Sequence, residues 1–215
     1  MAKAIAIMGE SGSGKTTSMR NLDPATTFYV DCDKKGLSWR GWREKFNEES
    51  KNYFVTDYPQ MALKYLQMVN EKDSCKHIKV IVFDTINGLM VADEMRRMSE
   101  KGYDKWQDLA ASIYGLIDYA LTVREDLTPI FIAHTQTDHD DNGFVWTRIK
   151  TSGRKLDKIT LESKFSTVLL SKVQDGKYVF ETQSDHSTAK TPLGAFEEKE
   201  IENDIVKVLE ALKDY

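Results

Sequence analysis

Eight residues near the start of the chain have types and spacing that could handle a polyphosphate. Gly9-Glu10-Ser11-Gly12-Ser13-Gly14-Lys15-Thr16 follows the apolar run Ala4-Ile5-Ala6-Ile7-Met8 and fits the pattern G-x-x-x-x-G-K-[ST]. Gly12 and Gly14 let the backbone turn its N–H groups inward as an anion nest. Lys15 would reach the β- and γ-phosphates, and the Thr16 hydroxyl would ligate Mg²⁺. The motif predicts binding of a nucleoside triphosphate, ATP with Mg²⁺, through Gly9, Gly12, Ser13, Gly14, Lys15, Thr16 and Thr17.

Phosphoryl chemistry also needs a metal-holding acid and a group that orients water. Asp84 ends the apolar run Val80-Ile81-Val82-Phe83 and is placed to hold the metal with Thr16. Asp31 and Asp33 both follow the strand after the P-loop and share a face. Asp33 is the expected water-orienting carboxylate. His134 ends a later apolar run, where it could sense the γ-phosphate or be a satisfied core histidine. The cluster Asp138-His139-Asp140-Asp141 reads as a solvated turn beside Asn142-Gly143 rather than a metal site.

Strands and helices must alternate to bring these residues together. Thr27–Asp31, Tyr53–Val55, Val80–Asp84 and Ile130–His134 read as strands, and Ala4–Met8 as the first. Helices are expected from Thr17 to about Leu22, where Asp23-Pro24 stops it, and from Pro59 to about Asn70. Two more run from Ile86 to about Glu100 and from Asp104 to about Arg124. Phe144–Lys150 alternates as a strand, and Asp175-Gly176 joins two strands of a hairpin. A last helix from about Lys199 puts Ile201, Ile205, Val208, Leu209 and Leu212 on one face. Its surroundings, from Phe196 to Tyr215, hold seven acids and three lysines, read as the solvated face of a docked helix. The expected architecture is α/β: a mostly parallel sheet flanked by helices, with antiparallel C-terminal strands, in one domain over residues 1–215.

Bulk properties are those of a soluble globular chain, with 215 residues, 40% hydrophobic and 30% charged. No apolar run approaches the roughly 20 residues of a membrane span. Cys32 and Cys75 lack metal-ligand spacing and suggest reduced thiols in a cytoplasmic protein. The net charge of −4 argues against a generally basic nucleic-acid coat. A local basic strip remains: Arg148, Lys150, Arg154, Lys155 and Lys158 against Asp157 between Phe144 and Lys158, net +4. With Trp146 it could track and stack on single-stranded nucleic acid, or be a solvated surface. Trp39-Arg40-Gly41-Trp42-Arg43 is a second candidate, for base stacking or subunit contact.

Met8–Thr17, Phe28-Tyr-Val-Asp-Cys-Asp33, Val80-Ile-Val-Phe-Asp-Thr85 and Ile130-Phe-Ile-Ala-His134 resemble the successive motifs of the RecA-type ATPase core. With the tail Thr188-Ala-Lys-Thr-Pro-Leu-Gly-Ala-Phe196, they are similar to phage ATP-binding proteins of that class, a core-only group associated with single-strand DNA annealing and recombination. The resemblance spans roughly residues 3–196. It implies a RecA-like P-loop ATPase acting as a homo-oligomer on single-stranded DNA, and the lack of a long apolar run adds the expectation of no membrane partner. Asp33 matches the position of the usual catalytic Glu, and its shorter side chain implies slow hydrolysis. His134 matches the polar switch residue coupling γ-phosphate to the DNA-binding loop, about residues 135–158. Within that stretch it assigns Trp146, Arg148, Lys150, Arg154 and Lys155 to DNA. Lys190 matches a lysine that reaches a neighbouring subunit's phosphates, though it is equally an ordinary surface lysine. Two rivals are a small-molecule P-loop kinase, with Arg148 and Arg154 as lid arginines, and a non-catalytic nucleotide-dependent regulator that binds a protein partner.

Overall fold

The computed structural model describes residues 4–102, 104–139, 145–152 and 160–215. The basic residues Arg154, Lys155 and Lys158, Phe144, and the turn at 141–143 lie outside them. The elements in chain order are β1 (Ile5–Gly9), β2 (Thr27–Asp31), α1 (Trp42–Lys45), β3 (Tyr53–Val55), α2 (Pro59–Glu71), β4 (Val80–Asp84) and α3 (Ile86–Arg96). They continue with α4 (Asp104–Ala120), β5 (Thr128–His139), β6 (Val145–Ile149), β7 (Thr167–Gln174), β8 (Lys177–Glu181), β9 (Glu200–Glu202) and α5 (Ile205–Ala211). The strands form one sheet in the order β3-β2-β4-β5-β1-β7-β8-β9, with β6 paired to β5. From β3 to β7 neighbouring strands are parallel, whereas β8, β9 and β6 are antiparallel to their partners.

The inner parallel strands are apolar along their length because both faces are covered. Successive side chains go to opposite layers. Ala6, Met8, Phe28, Phe83 and Phe131 face one cluster, completed by residues of α2, α3 and α4. Ile5, Ile7, Tyr29, Val82, Ile130 and Ile132 face the other, closed by α5 and the segment carrying Leu37, Trp39, Trp42 and Phe46. The two tryptophans of the Trp39–Arg43 patch are therefore packed inward: Trp39 lies edge-on to Phe46 and Trp42 lies 5.0 Å from Tyr53.

Three elements depart most from the sequence expectation. The segment after the P-loop is a 3₁₀ turn, Thr17–Met19, rather than a helix to Leu22. Side chains capture the carbonyls a helix would use: Ser18 Oγ donates to Lys15 O at 2.6 Å and Arg20 Nη1 to Thr17 O at 3.2 Å. Strand β5 begins at Thr128 and includes Pro129, which lies before β1 pairs at Ile130, so no β1 bond is lost there. The same strand runs on through Asp138 and His139, which pair with Trp146 and Val145 instead of turning. The final helix starts at Ile205, not Lys199, because Glu200–Glu202 pairs with β8 and Asp204 caps the helix, accepting from Val206 N at 3.0 Å. The hairpin at Asp175-Gly176 follows expectation, with φ of 49° and 75° at its two turn residues.

Phe131 is fully buried between Phe83, 5.1 Å away and stacked, and Phe165, edge-on at 5.6 Å. Phe131→Ala should cost about 3–5 kcal/mol of stability, read as a lowered urea midpoint with an unchanged slope.

Candidate nucleotide-binding site

The parallel strands end at one edge of the sheet, and their C-terminal residues bring the predicted chemistry together. Gly9 at the end of β1 is level with His134 on β5, and Asp31 on β2 is level with Asp84 on β4. The loop leaving β1 is held from below. Ser171 Oγ on β7 donates to Ser13 O at 2.7 Å, and Asn203 Nδ2 donates to Ser171 Oγ at 3.1 Å. Arg20 Nη1 reaches Asn203 O at 2.7 Å, tying the 3₁₀ turn to the segment before α5. A side chain at Gly9 would place its Cβ 2.4 Å from Ser171 O. That glycine serves close strand approach, whereas Gly12 and Gly14 take φ of 80° and 95° to form the turn.

Among the described residues, the amides of Gly12, Gly14, Lys15 and Thr16 donate to no carbonyl. With only a 3₁₀ turn behind them, these loop amides rather than a long helix dipole form the anion cradle. Lys15 is folded onto the loop itself, its Nζ donating to Gly9 O at 2.8 Å and Glu10 O at 2.6 Å. Burial lowers its pKa to about 8, with Asp84 partly opposing that shift. Glu10 is fixed in turn by Thr135, whose hydroxyl donates to Oε1 at 2.7 Å.

Asp84 is only 1% exposed. Burial pushes its pKa above the usual carboxylate range, and the Lys35 ammonium with the Tyr29 and Thr16 hydroxyls pulls it back. Tyr29 Oη donates to Oδ2 at 2.7 Å, while Oδ1 accepts no hydrogen bond. Lys35 Nζ stands 3.9 Å from that oxygen. A buried carboxylate oxygen that accepts no hydrogen bond, beside a threonine hydroxyl, suits a hard divalent cation, so Thr16 and Asp84 fit Mg²⁺.

The two candidate water-orienting acids have separate surroundings. Asp31 is consumed as a turn anchor, accepting from Asp33 N (3.1 Å), Gly36 N (2.7 Å) and Tyr53 Oη (2.7 Å). Asp33 lines a cavity adjoining the P-loop cleft, and its Oδ2 accepts from Lys35 at 2.8 Å and Thr85 Oγ1 at 3.0 Å. Its Oδ1 faces Gly88, where an added Cβ would approach to 2.3 Å. His134 lines both the P-loop cleft, about 380 Å³, and an adjoining cavity of about 330 Å³ that also holds Asp33 and Asn87. Burial and the nearby Lys15 charge lower its pKa.

These contacts coincide with a match to known proteins. A family model described as an AAA domain covers residues 1–193 of the 215. The chain belongs to that family. No curated protein matches it. As an AAA-type P-loop ATPase domain, it has the mixed, mostly parallel sheet and the nucleotide cradle such a domain requires. Among its described residues, no helix is long and apolar enough to cross a membrane.

The remaining predicted residues are more dispersed. Trp146 is 40% exposed on β6. Arg148 is ion-paired with Asp138 across the β5–β6 ribbon, so its charge is already matched. Lys150 is exposed, and its main chain is tied to the site: its N–H donates to His134 O at 2.7 Å. Asn87 completes this link, donating to Lys150 O and accepting from His134 N, each at 2.7 Å. Lys190 is exposed and pairs with Val168, which is level with Ala6 and so three residues short of Gly9. Within one chain it sits away from the P-loop.

Tyr29, Lys35, Thr85 and Asn87 were not singled out from the sequence. Tyr29 shares the Asp31 and Asp33 face of its strand, which was a usable signal. Nothing distinguishes Lys35 from its neighbours in the basic run Lys34–Lys45.

The lowered Lys15 pKa has a defined sign. Above pH 8 the nucleotide-free lysine loses its proton, whereas phosphates hold the proton on. Affinity for ATP in Mg²⁺-free buffer should therefore fall roughly tenfold from pH 7 to pH 9. Isothermal titration calorimetry would record this with proton uptake on the alkaline side, and Lys15→Arg should flatten the profile.

Proposed function

We propose that this domain is a RecA-like, Mg²⁺-dependent ATPase that binds single-stranded DNA as a homo-oligomer and supports phage recombination, annealing or replication. The observation that carries the proposal is the set of three bonds, one main-chain and two through Asn87, joining His134, at the nucleotide cleft, to Lys150 in the basic segment. A change at the cleft is thereby transmitted to residues that would lie on DNA.

In this reading, the amides from Gly12 to Thr16 and the Lys15 ammonium hold the phosphates. Lys15 exchanges the Gly9 and Glu10 carbonyls for phosphate oxygens. Mg²⁺ at Thr16 and Asp84 would neutralise charge on the β- and γ-phosphates. Asp33 orients the attacking water and is held in place by Lys35 and Thr85. Lys190, remote from its own P-loop, is available to a neighbouring subunit's nucleotide. Arg148 holds the β5–β6 ribbon through Asp138, so DNA phosphates fall to Lys150, Arg154 and Lys155, with Trp146 as a stacking surface.

A small-molecule kinase is the second reading, favoured by the cavity beside Asp33 and His134. It requires ATP consumption that depends on an acceptor and not on DNA.

The deciding experiment is fluorescence anisotropy of labelled single-stranded DNA across a salt series, with and without Mg·ATP. Binding should weaken with salt, and Lys150→Ala/Lys155→Ala should reduce the log–log slope by about 1.4. Absence of binding in all conditions would remove the DNA reading. In parallel, Asp33→Asn should lower ATP turnover by about 10²-fold or more while nucleotide affinity stays within about twofold.

A further inference from the structure

The largest cavity among those described, about 740 Å³, lies at the β3 edge of the sheet, remote from the P-loop. Its floor is apolar: Phe28 and Phe54 stack at 4.8 Å, and Met68 and Ile78 continue the surface. Its rim is basic. Lys45, Lys51 and Lys72 are exposed and have no ion-pair partner among the described residues, and Glu44 is the lone acid of the lining. An apolar basin rimmed by unmatched lysines calls for an occupant with an apolar tip and acidic flank.

The chain carries such an element at the opposite edge. Pro192-Leu193-Gly194-Ala195 closes a turn, with Ala195 N donating to Pro192 O at 3.1 Å and Gly194 at φ 83°. Gly194 also packs near Tyr215 Oη, which would lie 3.3 Å from a Cβ there. The turn is thus preformed, and it presents Leu193 with 99% exposure. Glu197 and Glu198 follow, exposed and without an ion-pair partner among the described residues. A scattered surface leucine needs no explanation. One held at the tip of an ordered turn beside an acidic pair, in a chain that elsewhere offers an apolar, basic basin, is complementary to it in polarity and charge.

We propose that the Leu193 turn of one copy docks into the β3-edge cavity of a second copy, with Glu197 and Glu198 meeting Lys51 and Lys72. Knob and basin stand on opposite edges of a sheet whose strands are spaced about 4.8 Å apart, so one chain cannot satisfy itself. The contact is heterologous and head-to-tail, and repetition generates a ring or a filament. The proposal rests on the assembly in the reading above and gives it a specific interface.

The test is sedimentation velocity on the intact chain at about 10 and 100 µM, with and without Mg·ATP. Wild type should gain mass with concentration. Leu193→Asp, with Leu193→Ser as a milder companion, and Lys51→Glu/Lys72→Glu should each weaken association by roughly tenfold or more. All change exposed side chains, and unchanged thermal melting would verify their folding. Mixing Leu193→Asp with Lys51→Glu/Lys72→Glu leaves one intact basin and one intact knob. The mixture should form a dimer and nothing larger. Wild-type association that the variants leave untouched, or a mixture that stays monomeric, overturns this interface while leaving assembly itself standing. Wild type that is monomeric throughout overturns both.

Discussion

A carboxylate buried at the end of a central strand is the constraint on which the rest of this site depends. Asp84 cannot be left to water, and burial of a charge without compensation costs several kcal/mol. The surrounding elements share that compensation. β2 contributes the Tyr29 hydroxyl, the loop after it contributes Lys35, and the P-loop contributes Thr16. One oxygen still lacks a hydrogen bond. A site that is nearly but not fully balanced suits a cation, and a nucleotide-bound metal would complete it.

The P-loop is organised by the same economy of contacts. Its lysine and its backbone carbonyls satisfy one another until phosphate competes for the lysine, which keeps the loop ordered without a ligand. Order also comes from outside the loop. Ser171, Asn203 and Arg20 link β1, β7 and the segment before α5 through contacts separated by up to 183 residues in sequence. The C-terminal segment is thus a structural support of the nucleotide cradle, although its composition reads only as an acidic, amphipathic end. This pinning makes a long helix behind the loop unnecessary, and the short 3₁₀ turn suffices.

Asn87 occupies a comparable position between two regions. Its side chain bridges β5 and Lys150 of the basic segment, using both the oxygen and the nitrogen of its amide on main-chain partners. Main-chain bonds of this kind fix backbone position without depending on the neighbouring side chains. The Arg148–Asp138 pair does the opposite: it spends a basic side chain on holding the β5–β6 ribbon together. Charge in a basic stretch is therefore divided between holding the ribbon and facing solvent, with Lys150 on the second side.

The sequence by itself determined the features that arise from neighbouring residues. The P-loop pattern, the apolar strands that lead into Asp31, Asp84 and His134, Pro59 at a helix start and the Asp175-Gly176 turn are legible because their physical causes lie within a few positions. Tertiary structure decided the rest. It separated Asp31 from Asp33 through Tyr53 and Gly36, paired Arg148 with Asp138, and turned the Trp39–Arg43 patch inward. It also converted the expected start of the last helix into a strand by supplying β8 as a partner. Composition cannot show such outcomes, because a side chain's role depends on which distant groups compete for it and on how much water folding removes.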